Sequence, residues 1–233
     1  MNRGAVQAET LSPPAAPAGL SFRLGPFDVW SVLGRGGMGQ VFRGTYRELG
    51  LPVAVKVISA DKARNPRSRQ LFLREVRAAA GLEHPAIVMV LDTGVVDEQA
   101  ERASGGAVVA GSPYLVMELG ERALDRTAAH WHGLQRVLWS LLPALGHAHA
   151  RGLVHRDLKP RNVLVFPRDR ASTFKLCDFG IAFSLTDSGD GRQSSAGSPR
   201  YMAPEQIRED WRAYGPPTDL YALGCTTWML ATG

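Results

Sequence analysis

The sequence is poor in cysteine and lacks any long apolar run, and these two absences exclude several classes of protein. Two cysteines, Cys177 and Cys225, are too few for a disulfide framework, and they favour a reducing cytoplasm. Both lie in apolar segments, where we expect small buried side chains. No stretch offers the roughly 18 consecutive apolar residues that a membrane span needs. The sequence therefore predicts a cytoplasmic chain with no membrane segment among its 233 residues, and it leaves open an anchor encoded beyond residue 233.

Basic residues are numerous but are not concentrated in one region. The net charge of +5 comes from 27 lysines and arginines against 22 acidic residues. They are spread along the chain, without a basic stripe and interleaved aromatic residues, so no nucleic-acid partner is predicted. With 45% hydrophobic and 21% charged residues, the composition suits one large core or two smaller lobes.

The apolar patterning changes along the chain from strand-like to helix-like. Residues 1–26 are rich in proline and alanine and predict a flexible tail. In chain order, the elements that follow are three antiparallel strands within 27–59, a helix over 66–82, strands within 86–94 and 113–119, a surface loop over 96–112, and a helix through 134–145 that Pro143 should kink. A strand-rich half therefore precedes a helix-rich half.

The sequence GRGGMG at residues 34–39 is the first chemical signal. Glycines at this spacing let the backbone approach phosphates closely, and the pattern occurs both in dinucleotide folds and in kinases. A dinucleotide site needs a helix directly after the glycines, whereas QVFRGTY predicts another strand. A plain tight turn remains an alternative at this point.

Lys56 is the next signal, because it lies in the apolar strand VAVKVI. An unpaired ammonium group is costly there. Glu75 lies on the apolar stripe of the following predicted helix, at helical spacing from Phe72 and Ala79, and each charge would neutralise the other. Taken alone, the two residues are equally compatible with a structural buried ion pair.

Six motifs occur in an order that resembles the protein kinase family. They are the glycine loop at 34–39, VAVK at 53–56, Glu75, HRDLKPRN at 155–162, CDFG at 177–180 and MAPE at 202–205. The resemblance spans about residues 27–233 and is greatest to bacterial relatives of the eukaryotic Ser/Thr kinases. It implies an α+β, bilobal kinase-like fold: an N-lobe over 27–118 with a five-stranded antiparallel sheet and one helix, and a mainly helical C-lobe over 119–233.

The resemblance also implies a role for each polar motif residue. Asp157 would orient the acceptor hydroxyl and Lys159 would offset charge on the transferring phosphoryl group, while Lys56, held by Glu75, would bind the α- and β-phosphates. Asn162 and Asp178 would supply oxygen ligands to Mg²⁺. The activation segment would include Ser194, Ser195 and Ser198, and Arg156 before Asp157 is typical of kinases in which phosphorylation orders that segment.

The implied cofactors are ATP and Mg²⁺. By resemblance, the nucleotide would be bound by Leu33, Gly34, Arg35, Gly36, Gly37, Met38, Gly39, Val41, Ala54, Lys56, Met117, Glu118, Leu119 and Leu164. Val41 and Ala54 would cover the adenine from above and Leu164 from below, and Met117 would be the gatekeeper.

Three features depart from the family pattern. Ser198 stands where threonine is usual, and its hydroxyl can still bond Asp157 and Lys159. Arg161 stands where kinases that prefer basic substrates carry glutamate, and together with Arg200 it predicts that arginine before the acceptor is disfavoured. The helices that follow TDLYALGCTTWMLATG in the family are not found, so an incomplete C-lobe is expected.

The sequence thus predicts an ATP-dependent Ser/Thr protein kinase with protein substrates, and with self-phosphorylation or dimer formation as a further expectation. The alternative is a catalytically inactive kinase-fold module that binds nucleotide or protein. A small-molecule phosphotransferase is a distant third, because MAPE and the segment before it form the protein-substrate platform in the family.

Overall fold

The structure is a computed structural model. It describes residues 21–124, 131–166, 173–179, 183–184 and 198–232, without the side chains of Glu75, Phe183 and Ser184. It contains a sheet-rich N-lobe and a mainly helical C-lobe, each with its own apolar core, and it confirms the predicted α+β, two-lobed architecture.

The N-lobe is built around one antiparallel sheet of six strands. The strands are β1 (Phe22–Leu24), β2 (Phe27–Arg35), β3 (Gly39–Tyr46), β4 (Leu51–Ile58), β5 (Val90–Val95) and β6 (Pro113–Glu118), in the spatial order β1-β2-β3-β4-β6-β5. The five predicted strands are all present. The sixth, β1, lies within the segment predicted to be a flexible tail, because Phe22 and Leu24 bury their side chains against the sheet.

Three helices accompany this sheet, where the sequence predicted one. They are α1 (Ala60–Arg64), α2 (Pro66–Ala80) and α3 (Glu98–Ala103). Helix α2 is the predicted one, and it packs Phe72 and Val76 against Ile58 and Leu115 of the sheet. The prediction of a loop over 96–112 was wrong in its first half. There Asp97 caps α3 by accepting a hydrogen bond from the Ala100 backbone N–H at 2.7 Å.

The C-lobe consists of helices, short strands and 3₁₀ turns. Its elements are β7 (Arg122–Ala123), α4 (Trp131–His149), β8 (Leu153–Val154), β9 (Val163–Phe166), β10 (Thr173–Leu176), β11 (Phe183–Ser184), α5 (Pro204–Ile207), α6 (Pro216–Thr232), and 3₁₀ turns over Pro160–Asn162, Pro199–Tyr201 and Trp211–Ala213. The sequence predicted α4, and this helix continues through Pro143. No helix among the described residues is long and apolar enough to cross a membrane.

The segment between α2 and β5 joins the two lobes. Leu82, Ala86 and Ile87 belong to the apolar core of the C-lobe, although strands β5 and β6 of the N-lobe sheet follow them in sequence. The backbone N–H of Val88 donates to the Leu176 carbonyl, and the Leu176 N–H donates to the Ala86 carbonyl, both at 2.9 Å. The spatial division between lobes therefore does not follow a single cut of the chain near residue 118.

Candidate active site

The loop that follows β8 is anchored from below by one buried carboxylate. Asp219, in the first turn of α6, is completely buried. It accepts hydrogen bonds from the backbone N–H groups of His155 and Arg156 at 2.9 and 2.8 Å and contacts His149 Nε2 at 2.7 Å. Since α6 is a core helix, these bonds fix the loop relative to the C-lobe core.

Arg156 has a positive φ of 65°, an uncommon conformation for a residue with a side chain. Gln206 Nε2 donates to its carbonyl at 2.8 Å, so Asp219 and Gln206 together hold both of its backbone polar groups. The guanidinium lies 5.6 Å from the ring centre of Tyr214. Burial lowers the pKa of Arg156 to about 10, so the group is still charged at neutral pH.

This anchoring presents Asp157 with both carboxylate oxygens oriented by hydrogen bonds. Lys159 Nζ donates to Oδ2 at 2.6 Å, and Asn162 Nδ2 donates to the same oxygen at 3.2 Å. The backbone N–H and the hydroxyl of Ser198 contact Oδ1 at 3.1 and 3.3 Å. Lys159 Nζ also donates to Ser198 Oγ at 2.9 Å, which confirms that serine at this position binds both predicted partners.

His155 connects this loop to the segment that carries Asp178. Its Nδ1 accepts a hydrogen bond from the Asp157 N–H at 3.2 Å, so the neutral ring carries its proton on Nε2. Nε2 lies 3.0 Å from the Cys177 carbonyl and donates to it. The ring also packs against Phe179, with the two ring centres 4.8 Å apart. The two motifs, more than twenty residues apart in sequence, are therefore held together.

Lys56 and Asp178 form an ion pair across 122 positions of sequence. The Lys56 side chain is 10% exposed and that of Asp178 is 43% exposed, so the carboxylate faces an open space. Asp178 has a φ of 67°, again in the left-handed region. The predicted phosphate ligand and the predicted metal ligand thus lie at one place. The predicted pairing of Lys56 with Glu75 stays a prediction, because that side chain lies outside the described residues, as do Ser194 and Ser195.

The glycine loop connects β2 and β3 above this place. Gly36 and Gly39 exchange backbone hydrogen bonds of 2.8 and 3.3 Å, which close the hairpin. A Cβ on Gly39 would lie 2.0 Å from the Val57 carbonyl oxygen, so a side chain does not fit there. At Gly34 and Gly37 a Cβ would meet no atom within 4 Å, which leaves free space beside the loop backbone.

The residues predicted to surround adenine come from strands of both lobes. Ala54 is paired with Met117 across β4 and β6, and Val41 is paired with Lys56 across β3 and β4. The remaining predicted nucleotide residues are distributed as follows: Leu33, Gly34 and Arg35 in β2, Gly36, Gly37 and Met38 in the turn, Glu118 in β6, Leu119 directly after it, and Leu164 in β9.

Three residues at the site were missed or misjudged from the sequence. Asp219 was not among the predicted site residues, whereas it anchors the loop that carries Asp157. Gly120 packs so tightly on Leu164 that a Cβ there would lie 2.9 Å from the Leu164 Cβ. Glu118, predicted only as a nucleotide-binding residue, also binds Lys175 Nζ through both carboxylate oxygens at 2.6 and 2.7 Å. Each contact joins residues that are distant in sequence.

Comparison with known proteins agrees with this geometry. The protein kinase domain family matches residues 27–233. This chain belongs to the protein kinase family. The kinase domain is 36% identical over 226 residues to the serine/threonine-protein kinase PknB of Mycobacterium tuberculosis, an alignment that covers 93% of this chain and 33% of the relative.

Other bacterial kinases are similar to a comparable degree. PknB of Mycobacterium leprae is 36% identical over 215 residues, covering 89% of the kinase domain and 32% of the relative. A probable serine/threonine-protein kinase of Streptomyces coelicolor is 37% identical over 218 residues, covering 89% and 30%. This chain therefore spans about a third of the length of the curated relatives it matches.

Proposed function

We propose that this kinase domain transfers the γ-phosphate of ATP to serine or threonine hydroxyls of proteins. The observation that carries the proposal is the Asp157 carboxylate, which Lys159, Asn162 and Ser198 hold in one orientation at the junction of the lobes. Phosphoryl transfer needs mainly positioning and offset of charge, and this arrangement supplies both.

Each residue around Asp157 has a distinct task in the transfer. Asp157 accepts a hydrogen bond from the acceptor hydroxyl and directs its oxygen at the γ-phosphorus. Lys159, 2.6 Å from Asp157, offsets negative charge on the moving phosphoryl group. Lys56 leaves its ion pair with Asp178 and binds the phosphates that are not transferred. A lysine at position 159 is typical of Ser/Thr-directed kinases. The similar bacterial proteins are named as serine/threonine-protein kinases.

The metal-binding residues fit a hard divalent cation such as Mg²⁺. The two described side-chain hydrogen bonds of Asn162 are donated by Nδ2, to the carbonyl and to Oδ2 of Asp157, which leaves Oδ1 as the ligand atom. Asp178 contributes a partly exposed carboxylate. Two protein oxygens are typical of Mg²⁺, which keeps several waters and binds substrate phosphates. When bound, the ion offsets phosphate charge.

The test compares the wild type with Asp157→Asn on a generic basic protein substrate and on the chain itself. Removing the carboxylate should lower phosphate transfer at least about 100-fold, the usual contribution of a positioned acid or base. The variant should still bind ATP, since Asp157 does not contact the predicted nucleotide site. A wild type with no turnover above that of the Asp157→Asn variant would instead favour the inactive binding module.

We further propose self-phosphorylation on the activation segment at Ser194 or Ser195. The support is Arg156, which remains charged and lies directly before Asp157, where a phosphate from that segment would find a cation. Mass spectrometry of active protein should find phosphate at one of these serines and none in the Asp157→Asn variant. An active protein that is unmodified between residues 185 and 197 would contradict this proposal.

A further inference from the structure

Helix α2 is held on the N-lobe sheet by a small apolar core. Among the described residues, the buried members of this core are Ile58, Phe72, Val76 and Leu115. The core on the opposite face of the same sheet is larger, with thirteen buried residues in the described part of the chain. An element with few buried contacts opens more easily than the rest of a domain. A single polar contact can therefore affect how firmly α2 is held.

Such a contact is made by Arg69 in the first half of α2. Its Nη1 donates a hydrogen bond of 2.5 Å to the backbone carbonyl of Gly111, 42 positions later in the chain. Hydrogen bonds from a charged donor are stronger than those between neutral groups. Gly111 belongs to residues 96–112, which we call the α3 segment because they contain that helix. Nothing in the reaction proposed above assigns a role to this contact.

The α3 segment is itself attached to the sheet. Val96, Ala100 and Val108 are buried in the larger core. The Val96 N–H donates to the Ser112 carbonyl at 2.9 Å, and the Gly111 N–H donates to the Val96 carbonyl at 2.8 Å, which closes the two ends of the segment. The carbonyl that accepts from Arg69 is therefore held by the larger core, and Arg69 connects α2 to that core.

The position of α2 matters for the proposed site because the helix contains Glu75. Glu75 lies six residues after Arg69, a rise of about 9 Å along the helix axis, and it is predicted to pair with Lys56. Lys56 is the predicted phosphate ligand and forms an ion pair with Asp178. A displacement of α2 would move Glu75 away from Lys56, although Arg69 is not among the predicted site residues.

We propose that Arg69 is a positioning residue for phosphate transfer, whose hydrogen bond to Gly111 couples α2 to the α3 segment and so holds Glu75 where it can orient Lys56. The inference rests on the proposed kinase activity and adds a residue and a segment on which the same site depends. The hydrogen bond has a partner on each side, so it can be broken from either.

Hydrogen exchange tests the contact from the side of Arg69. Arg69→Met removes the donor, keeps most of the length of the side chain and preserves helix propensity. In the Asp157→Asn variant, the backbone amides of residues 71–76 should exchange about three- to tenfold faster when Arg69→Met is added, as expected for loss of one hydrogen bond. Arg69→Lys, which can still donate, should restore most of the protection. Arg77→Met, at an exposed position of the same helix, is the control and should change nothing. Unchanged exchange in Arg69→Met would overturn the proposal.

Gly111 allows the same contact to be broken from the other side. Its φ is 81°, so alanine would strain the backbone that orients the carbonyl, although a Cβ would meet no atom within 4 Å. Gly111→Ala should speed exchange of residues 71–76 in the presence of Arg69 and should add less than about 1.5-fold after Arg69→Met, because both changes remove one bond. Gly106→Ala is the matched control, since Gly106 also has a φ of 81° and free space for a Cβ. Equal effects of Gly111→Ala with and without Arg69→Met would contradict the coupling.

The kinetic test asks whether the contact affects phosphate transfer. With a generic basic protein substrate, Arg69→Met should lower kcat at least about twofold, because a smaller fraction of the chains holds α2 in place. KM for the protein substrate should stay unchanged, since α2 is not proposed to contact it. Arg69→Lys should recover most of kcat, and Arg77→Met should keep it. An unchanged kcat in Arg69→Met, despite faster exchange, would overturn the positioning role.

The two measurements separate this proposal from the proposed activity. Faster exchange in Arg69→Met, with no turnover by the wild type above that of Asp157→Asn, would contradict the kinase activity and support the coupling of α2 to the α3 segment. Turnover by the wild type, with no effect of Arg69→Met on exchange, would support the kinase activity and overturn the coupling.

Discussion

At the residue scale, the site depends on a few side chains that hold the backbone in uncommon conformations. Arg156 and Asp178 both have positive φ, and Arg156 is fixed by a hydrogen bond that it donates to Asp219 and one that it accepts from Gln206. Residues with such conformations persist only where the surroundings determine them, and they concentrate at functional sites. Asp219 therefore holds the loop that presents Asp157, and we expect it to affect the proposed phosphate transfer through that loop.

Asp219→Asn tests this positioning role. The amide keeps the shape but removes the charge, and its NH₂ group cannot accept from the backbone N–H groups of His155 and Arg156. We expect a loss of about 3 kcal/mol in the free energy of unfolding, measured in urea, and a lower kcat even under conditions where the variant is folded. Asp210→Asn, at an exposed position, should change neither quantity; a similar effect of both substitutions would contradict the role.

At the element scale, the glycine loop is a β-hairpin whose two halves obey different constraints. Gly39 packs on the backbone of β4, whereas Gly34 and Gly37 face free space. Gly39 therefore allows β3 and β4 to approach each other, whereas Gly34 and Gly37 leave room beside the loop. The GxGxxG pattern alone does not separate these two reasons for glycine.

Gly39→Ala should destabilise the N-lobe, because its Cβ would lie 2.0 Å from the Val57 carbonyl oxygen and β3 must shift. We expect a loss of about 1 to 3 kcal/mol, the usual cost of overpacking, together with weaker ATP binding. Gly37→Ala should change stability by less than about 0.5 kcal/mol. Thermal melts of the two variants test this prediction. Equal melting temperatures would show that the contact between a Cβ at position 39 and the Val57 carbonyl does not destabilise the N-lobe.

At the scale of the whole molecule, the lobes are coupled where the segment after α2 packs on α4. The rings of His84 and His147 lie 5.2 Å apart there, and Arg151 Nη1 contacts His147 Nδ1 at 3.2 Å. His84 Nδ1 accepts a hydrogen bond from the Ala86 N–H. Burial, and then the neighbouring His147, lower the pKa of His84 below its ordinary value. Folding therefore favours neutral His84.

This shift predicts a loss of stability in acid. Since the pKa of His84 is lower in the folded state, the unfolded chain binds the proton more readily, so the contribution is complete above about pH 6.5 and falls as pH decreases through that value. His84→Asn, whose side-chain oxygen can still accept from Ala86, should reduce the difference between urea midpoints at pH 7.5 and 5.5. An unchanged difference would show that other groups determine the acid sensitivity.

The sequence by itself determined the family, the order of the elements and the chemistry of the site, because these depend on local patterns and spaced motifs. The alternation in β4 put Lys56 opposite the face of Val53, Val55 and Val57, and those valines are core residues of the sheet. HRDLKPRN and CDFG identified Asp157 and Asp178 in the same way, from residue types at fixed spacing.

Only the tertiary structure decided which distant residues meet. It formed β1 within the predicted tail and paired it with β2, because burial of Phe22 and Leu24 outweighs the proline-rich composition around them. It left both cysteines partly exposed where the sequence predicted burial. It joined Asp219 to Arg156 over 63 positions and formed an open cavity beside Tyr201. Such contacts depend on the packing of whole helices against the loop, and no local pattern encodes the distance between elements.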